Sequence, residues 1–241
     1  MFRRGVGVLF CVFCGGVFIA PARALVLDLT SRGARGTING AIFNQFSSAG
    51  AGSGHIDAFL RIQNNGIEQG YNTDARPVEY NEKTSATFTR SLLLSTVPVV
   101  VENGVSYRLF LLDINQNVES FLSLDALKIA LQPLPDLYGH SDIFDDPIYN
   151  LDAGGDNWVK LGCNCNSGSG AVDMVLLIAD SLFTQRGGYV YLYSRFGEHF
   201  AANAGYEEWA HGVDGWASPE PLSALLVILG AALAARRRRC G

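Results

Sequence analysis

The chain has 241 residues, of which 48% are hydrophobic, and a formal net charge of −5; this length and composition suit one or two domains with a sizeable core. Without the arginines of the first 24 residues and of the C-terminal run, residues 25–217 hold 11 basic and 22 acidic residues, a formal charge of −11. Such an acidic body excludes a nucleic-acid partner, which needs a basic face, and its two cysteines exclude a disulfide-stapled scaffold.

The first 24 residues predict a secretory signal peptide. Arg3 and Arg4 form a short basic head, and residues 5–20 are uncharged and mostly apolar. Ala22 and Ala24 flank Arg23 in the small-x-small pattern that signal peptidase accepts, so we expect cleavage after Ala24. A retained membrane anchor is the alternative.

Residues 25–217 predict an all-β ectodomain, a single antiparallel β-sandwich with a jelly-roll-like arrangement. Apolar residues alternate at 56, 58, 60 and 62, which places Phe59 and Arg61 on the opposite face. Asn103 and Gly104 are a strong hairpin signal between two strands within residues 97–114. Further strands are predicted at residues 127–132, 157–161, 173–183 and 188–196.

Two stretches of oxygen-bearing side chains predict calcium as a candidate cofactor. The first stretch alternates such residues from position 113, and the second is an acidic turn after position 151. Calcium prefers six to eight oxygen ligands, although the first stretch lacks the glycine and the final acid of an EF-hand. Turn residues that bond to their own backbone are the alternative interpretation. The candidate ligands are Asp113, Asn115, Asn117, Asp152 and Asp156.

Three tyrosines spaced by two residues predict a candidate glycan-binding strand. Tyr189, Tyr191 and Tyr193 would share one strand face, where flat rings could stack on sugars. Trp158, Trp209 and Trp216 could add to this surface. The alternative is ordinary packing, because tyrosine is a common strand residue.

The catalytic motifs that a sequence can reveal are missing. No histidine belongs to an H-E-x-x-H pattern, no serine to G-x-S-x-G, and there is neither a P-loop nor a dinucleotide fingerprint. We therefore expect no catalytic residues and no enzyme. A glycan-acting hydrolase with two carboxyls is the weaker alternative.

The C-terminal 22 residues before Cys240 have three parts in a fixed order. Pro219, Glu220 and Pro221 precede fourteen uncharged residues at 222–235, which would form a transmembrane helix about 21 Å long, against a hydrocarbon core of about 30 Å. The helix is followed by a cytoplasmic basic cluster of Arg236, Arg237, Arg238 and Arg239. An ordinary single-span anchor is the alternative.

This tail resembles the PEP-CTERM sorting signal, which is found in Gram-negative bacteria that make exopolysaccharide. The resemblance implies that an exosortase-like membrane protease recognises residues 219–221. Segments within residues 109–210, among them 110–117, 122–129, 166–174, 189–197 and 203–210, are similar to the uncharacterised β-rich ectodomains that commonly precede such tails. The likeness implies secretion and a β fold, not an activity.

We therefore expect an exported protein with a signal peptide at 1–24, an ectodomain at 25–217 and a sorting signal at 218–239. Its expected partners are signal peptidase, an exosortase-like protease and exopolysaccharide. It would be anchored in the inner membrane before processing and then reach the cell surface or the extracellular matrix. The expected role is that of a non-enzymatic envelope component, with a carbohydrate-binding module as the alternative.

Overall fold

The structure of the chain is a computed structural model that describes residues 24–46, 56–116, 120–162, 172–184, 187–203 and 205–212. Its fold is all-β, as the sequence predicts. Sheet A contains β1 (Val26–Asp28), β6 (Glu68–Tyr71), β7 (Leu92–Leu93), β10 (Phe121–Gln132), β11 (Tyr149–Asn150), β12 (Trp158–Gly162) and β14 (Tyr189–Phe196). Sheet B contains β2 (Arg35–Ile38), β3 (Ala41–Gln45), β4 (Ala58–Ile62), β8 (Val99–Glu102), β9 (Val105–Ile114), β13 (Met174–Ala179) and β16 (Glu207–His211).

Most strand pairs are antiparallel. The main path of sheet A runs β1-β12-β10-β14-β6, and that of sheet B runs β2-β3-β13-β9-β16-β4. Among the described strands, β1 pairs with β12 in parallel, at the margin of sheet A. β5 (Asn65–Gly66) and β15 (Ala202–Asn203) form a separate two-stranded sheet.

Helical segments within the described ranges are short. They include the four-residue α1 (His140–Ile143) and the 3₁₀ turns Leu94–Thr96 and Asp180–Leu182. None of the helices in these ranges has the length and apolar character that crossing a membrane requires.

One hydrophobic core receives side chains from both large sheets. Because side chains alternate along a strand, Leu127 and Ile129 of β10 and Leu192 of β14 point from sheet A into this core. Phe110 and Leu112 of β9 point into it from sheet B. All five residues are fully buried. Inward-facing apolar positions on neighbouring strands therefore account for the main hydrophobic stabilisation.

The outer face of each large sheet also buries apolar residues. On sheet B, Leu109, Leu111 and Leu177 form a second cluster. On sheet A, Tyr71, Tyr191 and Tyr193 pack with residues of the connections that cross the sheet, in a third cluster. Leu109 and Leu111 of β9, and Tyr191 and Tyr193 of β14, are therefore buried as well, although they point away from the main core.

Several local predictions are confirmed, and one is wrong. Asn103 and Gly104 both have positive φ, +51° and +79°, and join β8 to β9 as the hairpin signal predicts. The predicted separation of Phe59 from the face of Leu60 and Ile62 is wrong, because all three side chains are buried in the main core. The pairing of β4 with β16 is irregular where Leu60 faces Trp209 and Ala58 faces Ala210, so the strict alternation is interrupted at Phe59.

The predicted signal peptide lies outside the described residues apart from Ala24. The sorting motif Pro219-Glu220-Pro221, the apolar segment and the arginine cluster also lie outside them. The corresponding boundaries stay predictions.

Candidate functional site

The sequence-predicted calcium ligands occupy two different elements. Asp113 is buried near the end of β9, and the Asn115 side-chain amide donates a hydrogen bond of 3.0 Å to the Tyr206 carbonyl. Asn117 lies outside the described residues. In the part of the chain that the structure describes, no three or more His, Cys, Asp or Glu side chains are grouped as a metal site.

Asp152 and Asp156 belong to the turn between β11 and β12. The Asp152 carboxylate accepts a hydrogen bond of 3.2 Å from the Asn157 N–H, and the Asp152 N–H donates one of 3.0 Å to the Asn150 side chain. Burial, together with the charge of Asp156, raises the pKa of Asp152 to about 6. These hydrogen bonds between side chains and the backbone of the same turn fit the alternative interpretation, in which the turn residues stabilise the turn and do not bind calcium.

The three tyrosines of β14 share one face, as predicted, but they do not form an open platform. Tyr191 is 0% exposed and Tyr193 is 6% exposed, while Tyr189 is half-buried. The Tyr191 hydroxyl donates to the Leu134 carbonyl at 2.8 Å, and the Tyr193 hydroxyl donates to Gln69 Oε1 at 2.7 Å. Tyr191 and Tyr193 therefore have no exposed ring face on which a sugar could stack.

A different group of aromatic and cationic side chains lies nearer to solvent on sheet A. Trp158 of β12 and His199 of the loop after β14 stack, with ring centroids 4.3 Å apart and planes 12° apart. Phe200 lies 5.8 Å from Trp158 and 5.9 Å from Phe121, centroid to centroid. The Lys160 ammonium lies 3.9 Å from the centroid of the Phe121 ring. We call these five residues the aromatic surface.

Alternation along β12 explains why this surface forms. Val159 and Leu161 point into the main core, so Trp158 and Lys160 point outward. Phe121, at the start of the adjacent strand β10, is 39% exposed. The surface therefore combines accessible ring area with a positive charge, on a body whose net charge is negative.

Asp125 fixes the imidazole of His199. The Asp125 side chain is 1% exposed at a register shift in β10, where pairing with β14 moves between Leu124 and Ala126. Its Oδ1 lies 2.7 Å from His199 Nδ1, and its Oδ2 accepts the N–H of Glu198 at 2.7 Å. Because Nδ1 bonds to a carboxylate, it carries the proton, and Nε2 is the nitrogen available to an external ligand.

The turn that carries His199 requires a glycine at its first position. Gly197 has a φ of +96°, and a Cβ there would lie 2.0 Å from the Gly66 carbonyl oxygen. Its N–H bonds to the Ser123 carbonyl at 3.0 Å. Strand β14 can therefore turn closely over the end of β10 and bring residue 199 back to Asp125.

Ser123, Asp125 and His199 have the residue types of a catalytic triad but not its arrangement. The Ser123 hydroxyl donates to Asp125 Oδ2 at 2.8 Å, and it accepts the N–H groups of His199 and Phe200 at 3.1 and 3.0 Å. Ser123 is also fully buried. A nucleophilic serine would instead bond to the imidazole and face the substrate. This serine holds the loop in place.

Sequence reasoning found only part of this surface. It named Trp158, Trp209 and Trp216 as additions to the tyrosine strand, but Trp209 is fully buried and Trp216 lies outside the described residues. It gave no role to His199, Phe200, Lys160 or Phe121. The alternation of Trp158 and Lys160 was a usable signal, whereas the bond between Asp125 and His199 joins segments far apart in the chain. Comparisons with models of known protein families, with curated proteins and with solved structures found no match to this chain.

Proposed function

We propose that the chain is an exported, non-enzymatic component of a bacterial envelope or exopolysaccharide matrix. The observation that carries the proposal is the pair of terminal signals around an acidic body: a signal peptide at residues 1–24 and a PEP-CTERM-like tail at 218–239. Signal peptidase removes the first, and an exosortase-like protease cuts the tail at Pro219-Glu220-Pro221. The chain is held in the inner membrane until that cut.

We further propose that residues 25–217 form a jelly-roll-like β-sandwich. Shared burial supports it, because inward-facing residues of sheets A and B belong to one cluster. The non-enzymatic role is supported by Ser123, Asp125 and His199, which are bonded as a loop support and not as a nucleophile with its base.

Mass spectrometry of the exported protein tests the processing. We expect a chain that begins at Leu25 and lacks the apolar segment and the arginines. Replacement of the recognition motif, as in Glu220→Ala, should leave the tail attached and the protein in the membrane fraction. Glu198→Ala, at an exposed position in the body, is the control and should be processed normally. An exported chain with an intact arginine cluster would contradict the proposal.

The aromatic surface favours a second function, the binding of carbohydrate. Trp158, Phe121 and Phe200 offer apolar ring area, and sugars commonly bind to proteins by stacking on such rings. His199 Nε2 and the Lys160 ammonium add polar groups that can bond to hydroxyl or carboxylate groups. We propose that this surface, and not the tyrosine strand, binds the polysaccharide of the matrix.

Affinity electrophoresis of the purified chain in gels containing exopolysaccharide tests this function. We expect Trp158→Ala to weaken binding by at least about tenfold, equivalent to about 1.4 kcal/mol. Tyr138→Ala removes another aromatic side chain, one that is 57% exposed and outside the aromatic surface, and should bind like the wild type. Equal binding by Trp158→Ala and the wild type would refute the assignment.

A further inference from the structure

Three buried oxygen atoms that accept no hydrogen bond from a nitrogen or hydroxyl donor belong to a linked group of residues. They are Oε1 of Glu68, Oε2 of Glu207 and Oε1 of Gln116, three of the seven buried side-chain oxygen and nitrogen atoms in the described ranges that have no hydrogen-bond partner. Gln116 donates to the other oxygen of Glu207 at 3.1 Å, and the carboxyls of Glu68 and Glu207 are within hydrogen-bonding reach of each other. Unsatisfied polar atoms are rare in folded proteins, so their concentration here calls for a ligand.

The two carboxyls come from different sheets. Glu207 begins β16, where it pairs with Ile62 of β4 and with Ile114 of β9, both of which point into the main core. Glu68 begins β6 and pairs with Phe196, another core residue. Both glutamates are 0% exposed. Because directly paired residues point to the same side of a sheet, both carboxyls face the main core.

In the described part of the chain, no cationic side chain balances the charge of the pair. The strongest charges that act on Glu207 are those of Glu68 and Asp113, both negative. Arg61 of the adjacent strand β4 bonds to Glu208 instead, with its Nε 2.7 Å from Oε1. Desolvation, with the neighbouring carboxyl, raises the pKa of Glu207 well above its usual range, and desolvation also raises that of Glu68. Buried carboxylates are normally paired with a cation or coordinate a metal.

We propose that Glu68, Glu207 and Gln116 bind a calcium ion. Calcium accepts carboxylate and amide oxygens in irregular geometry, and carboxylates can bind it through one oxygen or two. Magnesium fits less well, because it demands regular octahedral geometry and retains several waters. Backbone carbonyls and water would complete the coordination.

The proposed site differs from the one that the sequence predicts. Gln116 lies within the alternating stretch that begins at Asp113, but its partners come from β6 and β16, so the spacing of that stretch could not reveal them. The site also does not depend on the turn that contains Asp152 and Asp156. Variants in the two places can therefore tell the two predictions apart.

Direct binding to the full-length chain, purified in non-ionic detergent and treated with a chelator, is the first measurement. Equilibrium dialysis with radioactive calcium should give one ion per chain, with a dissociation constant in the range of about 0.1–1 mM that extracellular modules show. Saturating calcium should raise the melting temperature, since it binds only the folded state. The absence of calcium binding by the wild type would overturn the proposal.

The isosteric variants Glu68→Gln and Glu207→Gln locate the site. Each should bind calcium at least about tenfold more weakly and lose most of the rise in melting temperature, because each removes a charged oxygen ligand. The matched control is Asp152→Asn combined with Asp156→Asn, which should bind like the wild type. The reverse pattern, with binding lost only in the control, would place the ion in the turn and overturn the proposal.

A proton shared by the two carboxyls is the competing occupant. In that case Glu207→Gln would match the melting temperature of the wild type without calcium, and calcium would change the melting temperature of neither protein.

Terbium luminescence provides a readout that needs no variant to fold. Trp209 lies two residues beyond Glu207 on the same face of β16, so it should sensitise bound terbium, and calcium should displace that signal. Terbium emission that calcium leaves unchanged would also overturn the proposal, as would magnesium binding of equal strength.

Discussion

At the scale of single residues, Asp125 links Ser123, Glu198 and His199 within the candidate site. Its two oxygens accept the Ser123 hydroxyl and the Glu198 N–H on one side and face His199 Nδ1 on the other. A carboxylate is the side chain that can accept all three bonds at once, since it has two acceptor oxygens and no donor. The position of the imidazole, and with it the stacking on Trp158, depends on this one buried group.

We expect Asp125→Asn to lower the free energy of unfolding by about 1–2 kcal/mol. The asparagine oxygen can keep the bonds from residues 123 and 198, but its amide then faces His199 Nδ1 with a donor. The imidazole must turn or move its proton to Nε2, so nitrogen NMR shifts of His199 should report the opposite tautomer. Urea denaturation of the variant and the wild type measures the difference in the free energy of unfolding.

Glu198→Gln is the matched control for this change. It replaces another carboxyl of the same loop by an amide, but the Glu198 side chain is 47% exposed and pairs with Arg195 at the surface. Exposed pairs contribute little, so the expected loss is below about 0.5 kcal/mol. An Asp125→Asn protein with the stability and the histidine tautomer of the wild type would show that Asp125 does not position His199.

At the scale of elements, the strands could be predicted wherever apolar and polar residues alternate or a turn signal is strong. The hairpin at Asn103 and Gly104 is an example, because two residues with positive φ suit the twist of the flanking strands. The pairing irregularity near Phe59 could not be predicted, because it arises from the register between β4 and β16. Local sequence determines a strand's pattern, whereas its register depends on distant partners.

The same distinction explains the outcome for the candidate sites. The shared face of the β14 tyrosines follows from a period of two, but their burial depends on the connections that cross sheet A. Tyr71 and Phe144, for example, lie in different segments, and their rings are 6.0 Å apart within the cluster that covers those tyrosines. Likewise, no spacing rule links Glu68 to Glu207, or Asp125 to His199. The all-β character of the fold was predictable, and the sites on it were not.

At the scale of the whole molecule, the two large sheets are joined by a buried polar contact as well as by the core. Trp209 of sheet B is fully buried, and its indole N–H donates a hydrogen bond of 3.0 Å to the Ser194 hydroxyl of sheet A. Ser194 is also fully buried. In a core made largely of aliphatic side chains, this bond fixes one relative position of the sheets, because the indole N–H has no water to bond with elsewhere.

A double-variant cycle measures how far this bond couples the sheets. Ser194→Ala should cost about 1–3 kcal/mol in the free energy of unfolding, because it leaves the indole N–H unpaired in the core. Trp209→Phe should cost about 2–4 kcal/mol through lost contact area and a cavity. In the Trp209→Phe background no indole N–H remains to be left unpaired, so Ser194→Ala should cost at least about 1 kcal/mol less than in the wild type. Denaturant unfolding of the four proteins gives the coupling energy. Strict additivity would mean that the sheets are held together by apolar packing alone, and that the proposed sandwich does not depend on this bond for its alignment.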